Sequence, residues 1–329
     1  MKVALFGAGR IGSIHASNLH ASDGVTISRI CDPVTENAER LAAQTGAQVS
    51  SIDEIFGDKT IGAVVIASST DTHSELLLKA AAAGKHVFCE KPVDLSLARA
   101  EQCRDAIVQS GVTCMLGFQR RFDPTFFAAR QRIEAGEIGT PEVLVITSRD
   151  PGAPPLGYLK SSGGIFRDML IHDFDICRWI LDDEIVSVHA TASCLTDPAI
   201  ARDAQDFDTT AVTLRSRQGR LCQINTSRRA AYGYDQRFEV LGDKGMIQCH
   251  NHRPTEVVYW GGQHVSQDLP EHFFLQRYRD AYRLEMAHFL DLLKHGGTPR
   301  TRIEDGVAAQ RLADAATESA RTGQTVHLG

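Results

Sequence analysis

Residues 3–12 read Val3-Ala4-Leu5-Phe6-Gly7-Ala8-Gly9-Arg10-Ile11-Gly12. An apolar run of strand character enters a Gly-x-Gly-x-x-Gly turn, and residues 14–20 beyond it can wind as a helix. A second apolar run, 25–30, ends in Cys31-Asp32, twenty residues past Gly12. The glycine pattern alone is a weak signal; strand, glycine turn, helix, strand and terminal acid together form the dinucleotide-binding fingerprint. Gly7 is expected to permit the tight turn, Gly9 to let backbone approach a pyrophosphate, and Gly12 to let the helix pack closely on the strand. The N–H groups at the start of that helix, around Arg10 and Ile11, then receive the phosphates. Asp32 accepts hydrogen bonds from a ribose diol and repels a 2′-phosphate, so NAD is the expected cofactor.

Bulk properties agree with a globular enzyme of two domains, since 329 residues exceed the usual size of one. The net charge of −6 offers no basic patch for nucleic acid. No apolar stretch reaches the length of a membrane span, and no charged-then-apolar leader precedes the first strand. A cleaved leader would also remove the glycine turn. Eight cysteines stand singly, at 31, 89, 103, 114, 177, 194, 222 and 249, without any C-x-x-C. Reduced thiols in a cytoplasmic protein are the expectation.

Strand and helix patterns alternate through the first third of the chain. Helical patterns at 36–44, 52–56, 75–83 and 94–109 separate strand patterns at 47–49, 62–67, 86–89 and 112–116. The run 62–67 is apolar throughout, as a parallel strand buried on both faces requires. This alternation predicts a doubly wound parallel sheet of Rossmann type. After Gly117 the texture changes. A helix at 124–134, a strand at 143–148 and a Pro-Gly-rich loop at 151–157 lead to strand patterns at 185–194, 209–215, 220–226, 237–241, 245–250 and 256–260. Short turns between them predict a large open sheet, mostly antiparallel, in an α+β domain. Helices at 275–295 and 303–322 close the chain. The boundary falls near 118: residues 1–118 for the cofactor, 119–329 for substrate binding and oligomerisation.

Ligands of an open α/β sheet bind beyond the carboxyl ends of its strands. Ser68, Thr70 and His73 follow the strand at 62–67, and Glu90 and Lys91 follow the strand at 86–89, so these complete the expected cofactor set. On position alone, Lys91 reads equally well as a turn lysine. A further cluster runs from Gly163-Gly164 through Asp168, His172 and Asp175. If a helix begins here, the three polar residues stand at i, i+4 and i+7 on one face. A carboxylate one turn from an imidazole can fix its tautomer and raise its basicity, which suits a general base. On spacing alone, a solvated helix face explains the same pattern. Neither this cluster nor Cys249-His250-Asn251-His252 has the ligand spacing of a zinc motif, and no metal is expected.

The glycine turn, Glu90-Lys91-Pro92 and Asp168-x-x-x-His172, in this order, resemble the glucose–fructose oxidoreductase/inositol dehydrogenase/rhizopine catabolism family over nearly the whole chain. Four further segments, 117–123, 148–151, 163–175 and 228–235, resemble its bacterial inositol 2-dehydrogenases. Ser148-Arg149-Asp150 stands where some of those have His-Arg-Asn. The resemblance implies NAD-dependent oxidation of a ring hydroxyl to a ketone, with myo-inositol oxidised at C2 as the first expectation. Scyllo-inositol or another sugar or polyol is the alternative substrate. It also implies Lys91, Asp168 and His172 as catalytic residues, and Arg120, Asp150, Asp175 and Tyr234, with that trio, as contacts to substrate. A homo-oligomer through one face of the open sheet is implied as well, and because that sheet is too large for the few helices left to cover both faces, a tetramer is the expectation. The reading from another class is a cofactor-binding regulatory protein without turnover. The presence of all three catalytic residues speaks against it.

Overall fold

The computed structural model describes all 329 residues and falls into two compact units, Met1–Phe122 with Asp280–Gln310 and Asp123–Arg279 with Arg311–Gly329. The first 117 residues give β1 (Lys2–Phe6), α1 (Arg10–His20), β2 (Thr26–Cys31), α2 (Thr35–Thr45), β3 (Gln48–Val49), α3 (Ile52–Gly57), β4 (Ile61–Ile66), α4 (Thr70–Ala82), β5 (His86–Glu90), α5 (Leu97–Ser110) and β6 (Cys114–Gly117). Their six strands form one parallel sheet in the order β3-β2-β1-β4-β5-β6. Strand order reverses between β1 and β4, which opens the crevice where such sheets take ligands. β4 is buried at five of six positions, because its unbroken apolar run can face helices on both sides.

The second unit contains α6 (Pro124–Glu134), β7 (Pro141–Arg149), α7 (Leu156–Leu159), α8 (Ile165–Asp168), α9 (Ile171–Leu181), β8 (Ile185–Ser193), α10 (Pro198–Ala204), β9 (Thr209–Ser216), β10 (Leu221–Ser227), β11 (Asp235–Gly242), β12 (Gly245–Cys249), β13 (Val258–Trp260), β14 (Val265–Gln267) and α11 (Phe274–Arg277). The chain ends in α12 (Arg279–His295), α13 (Ile303–Thr322) and β15 (Val326–His327). A seven-stranded sheet runs β12-β11-β7-β10-β9-β8-β15, antiparallel except for the β7–β10 pair. Alternation is clean along β9 and β10: Val212 and Leu214 on β9 and Cys222 and Ile224 on β10 are buried, while their neighbours are exposed. The buried face carries α9 against β7. The opposite face presents Leu221, Leu241 and Met246, each more than a third exposed.

Three details differ from the sequence reading. The strand expected at 256–260 is a three-residue β13 that pairs only with β14, in a separate hairpin. The helix expected over 275–295 is interrupted at Tyr278, whose backbone leaves the helical region. Finally, the segment Asp280–Gln310 does not remain with the residues that precede it. Met286, Phe289, Leu290 and Leu292 of α12 join Leu5, Val65, Phe88 and Met115 in the core of the first unit. No helix is long and apolar enough to cross a membrane.

Candidate active site

In the first unit, β1 ends at a turn that only glycine fits. Gly7 has φ +93°, and a Cβ there would stand 2.4 Å from the Ala67 carbonyl oxygen at the end of β4. A Cβ on Gly12 would stand 2.0 Å from the Gly7 carbonyl oxygen, so α1 is seated directly on the turn. Gly9 caps α1, and no atom lies within 4 Å of the place its Cβ would take. That open space beside the first N–H groups of an eleven-residue helix fits a dinucleotide pyrophosphate. Asp32 at the end of β2 accepts from Ala8 N–H at 2.6 Å and from Val34 N–H at 2.8 Å. Arg40 donates to the Ala8 carbonyl at 3.0 Å, so the turn is held from both sides.

The remaining residues expected at the cofactor lie on the same side of this sheet, in different environments. Ser68 and Thr72 share a hydroxyl contact of 2.6 Å just past β4, and Thr70 opens α4. His73 is buried, with Nδ1 2.7 Å from the Pro92 carbonyl and Nε2 3.1 Å from the Ser68 carbonyl. Burial pushes this imidazole below its ordinary pKa, against the pull of the two carbonyls. It ties the exits of β4 and β5 together. Glu90 ends β5 with its carboxylate 2.7 Å from His15 Nε2 of α1 and packed over Gly117, where a Cβ would come within 2.8 Å. Lys91 follows it, partly exposed. Arg120 belongs to this unit too, buried in the single 3-10 turn Gln119–Phe122.

The second unit holds the other candidates. The expectation that Asp168, His172 and Asp175 share one helix is corrected: Asp168 ends the four-residue α8, while His172 and Asp175 lie in the first turns of α9. The break falls at Met169 and Leu170, and the start of α8 is fixed separately. Gly163 and Gly164 adopt φ +83° and +86°, and the Asp206 carboxylate accepts from Ile165 N–H at 2.9 Å. His172 and Asp175 are buried, with Tyr234 and the backbone-anchored Asp150 in the same unit. The Tyr234 ring meets Tyr278 edge-on at 6.0 Å.

Asp168 is surrounded by partners that the sequence pattern did not single out. Tyr158 Oη donates to its Oδ1 at 2.7 Å, and Arg228 Nη2 donates to its Oδ2 at 3.1 Å. Arg228 also lies 3.9 Å from Asp206. Burial and the adjacent Asp168 charge raise the Tyr158 hydroxyl pKa. Burial also raises Asp206, although Ile165 N–H opposes it. Tyr158 and Arg228 lie ten and sixty residues from Asp168, and no local spacing connects them. No group of three or more His, Cys, Asp or Glu side chains is arranged to hold a metal ion.

A parallel sheet with this glycine turn, joined to an α/β unit carrying a buried histidine and carboxylates, defines an NAD-dependent oxidoreductase of CH–OH groups. Residues 1–118 match the family described as "Oxidoreductase family, NAD-binding Rossmann fold", and residues 130–328 match "Oxidoreductase family, C-terminal alpha/beta domain". The chain belongs to the GFO/IDH/MocA oxidoreductase family. It is 44% identical to the inositol 2-dehydrogenase of Rhizobium meliloti (strain 1021), covering 97% of this chain and 96% of that one. The scyllo-inositol 2-dehydrogenase (NAD(+)) of Bacillus subtilis (strain 168) is 37% identical, over 100% and 96%. Among solved structures, a myo-inositol dehydrogenase from Corynebacterium glutamicum superposes with a TM-score of 0.95 at 44% identity, covering 100% and 99%. A myo-inositol dehydrogenase from Lactobacillus casei in complex with NAD(H) and myo-inositol superposes at 0.90 and 26% identity, over 100% and 97%.

Proposed function

We propose that this protein oxidises the C2 hydroxyl of myo-inositol to the ketone, 2-keto-myo-inositol (scyllo-inosose). The carrying observation is the full-length likeness to inositol 2-dehydrogenases in both sequence and fold. Bound NAD, held by Gly7, Gly9, Gly12 and Asp32, supplies the hydride acceptor. His172 takes the hydroxyl proton on its imidazole, and Asp168 orients that imidazole. Lys91 donates a hydrogen bond to the oxygen as negative charge develops there. Arg120, Asp150, Asp175 and Tyr234 hold the remaining ring hydroxyls. Likeness to the scyllo-inositol enzyme of Bacillus subtilis favours scyllo-inositol as the second substrate to test.

Residues 1–118 serve the cofactor and 119–329 serve substrate and assembly. The assembly is a homotetramer, supported by the apolar residues on the open sheet face. Eight unpaired cysteines support a reducing, cytoplasmic setting.

The test is NADH formation with myo-inositol, scyllo-inositol, glucose and a linear polyol. Turnover highest with myo-inositol is expected; activity confined to the linear polyol overturns the reading. His172→Ala lowers kcat by about 10²–10⁴-fold and leaves NAD affinity nearly unchanged. A kcat within a few-fold of wild type would remove His172 from the base's role.

A further inference from the structure

Arg228 is one of the largest fully buried side chains in the protein. Its backbone N–H donates to the Asp208 carbonyl at 2.8 Å. Asp208 is itself fixed by Leu195 N–H, Thr196 N–H and the hydroxyls of Thr196 and Thr209, all at 2.7 to 2.8 Å. Although burial pushes the Asp208 carboxyl up, those donors hold it below the usual carboxylate range. The guanidinium thus hangs from a rigid strand end. Only Nη2 reaches an acceptor, Asp168 Oδ2 at 3.1 Å; Nε and Nη1 find none in the protein. Asp206, at 3.9 Å, lies beyond hydrogen-bond distance and already accepts from Ile165 N–H.

Stability gives a poor account of this arrangement. Burying a guanidinium with most of its donors unsatisfied is costly, and an apolar side chain of similar volume would fold as well or better. The directed contact is the one to Asp168. Tyr158 completes it from the other side: its hydroxyl donates to Asp168 Oδ1 at 2.7 Å, while the side chain is half exposed. Each carboxylate oxygen therefore receives a donor from a different element, α7 and the end of β10, and the pair fixes both torsions of a residue at the end of a four-residue helix.

We infer that Arg228 and Tyr158 are positioning residues for Asp168, acting on turnover only through the orientation of that carboxylate. The inference rests on the proposed role of Asp168, and its test separates the two. Arg228→Gln, Tyr158→Phe and Asp168→Asn are made singly, and each of the first two is combined with the third. Arg228→Gln lowers kcat about 10–100-fold and Tyr158→Phe about 3–10-fold, the scale of one hydrogen bond to a charged group and of a weaker one. KM for the polyol changes less than kcat, and NAD affinity stays within about twofold. Arg228→Lys, which keeps a charged donor, recovers most of the lost kcat. Each double variant turns over no more slowly than Asp168→Asn alone, because the positioning residues act through the side chain already removed.

Multiplicative losses in the double variants, or wild-type kcat in both Arg228→Gln and Tyr158→Phe with Asp168→Asn inactive, overturn the inference. An Asp168→Asn variant with wild-type kcat overturns the role of Asp168 itself. Should Arg228→Gln fail to fold, Tyr158→Phe carries the test, since it removes one oxygen from a half-exposed ring.

Discussion

Asp32 carries two tasks on one carboxylate: it accepts Ala8 N–H and Val34 N–H, and it presents negative charge at the end of β2. A 2′-phosphate facing that charge costs on the order of 2–4 kcal/mol at intermediate dielectric. Asp32→Ser is expected to weaken NAD binding and to narrow the preference for NAD over NADP, as titration calorimetry with both cofactors would show. Equal wild-type affinity for the two would remove Asp32 from the ribose. Glu285 is a different case. It is buried on α12, and neither carboxylate oxygen has a hydrogen-bond partner in the protein. Burial, with the nearby Glu90 charge, raises its carboxyl well above the ordinary value of 4.5. An acid raised in the folded state leaves stability intact below its unfolded pKa and lowers it progressively as pH climbs toward the folded one. Glu285→Gln should therefore raise Tm, and by more at about pH 8 than at about pH 5. A gain equal at both pH values would show that Glu285 does not titrate this way. The place of Asp32 at the exit of β2 was legible, because it follows the glycine turn at a fixed spacing. Glu285 was not, since a lone Glu in an amphipathic helix reads as surface until the fold buries it.

The elements sort by how local their causes are. β1, the glycine turn and α1 follow from the nineteen consecutive residues 2–20, and the structure adds the reason each glycine is needed. Gly12→Ala would drive a methyl group into the Gly7 carbonyl at 2.0 Å, a backbone atom with no room to move while Gly7 itself abuts Ala67. Its expected outcome is loss of NAD affinity by at least about tenfold together with a lower Tm, since the helix must lift from the turn that it caps. Gly9→Ala, which meets no atom of the protein, should weaken NAD binding with little change in Tm. Equal thermal shifts for the two variants would contradict this division of labour. Elements with distant causes were not legible. β14 and β15 have three and two residues, too few for a period to register. The anchoring of the start of α8 depends on Asp206, forty-one residues beyond the Ile165 N–H that it accepts.

At the scale of the whole molecule, the sheet of the second unit presents Leu221, Leu241 and Met246 on its outer face. The β13–β14 hairpin leaves Val258, Tyr259, Trp260 and Val265 exposed, with Trp260 at 78%. A hairpin of three residues a side has no core of its own and gains stability only when another surface covers it. Light scattering at micromolar concentration is expected to report a tetramer, and Met246→Glu with Leu241→Glu to shift it toward smaller species. A monomeric wild type would rule the tetramer out. The sequence reading drew a single boundary at 118, because periodicity shows where a texture changes and not where a later segment returns. The return of Asp280–Gln310 to the first unit bears on how the protein is made. While the ribosome works through the chain, the parallel sheet emerges early but lacks the wall supplied by Met286, Phe289 and Leu290. At about 5–20 residues per second, that wall follows on the order of 10–30 s later. Through that interval the nascent sheet lacks the cover that Phe289 gives Phe88, the kind of transiently exposed apolar surface that makes folding chains prone to aggregate.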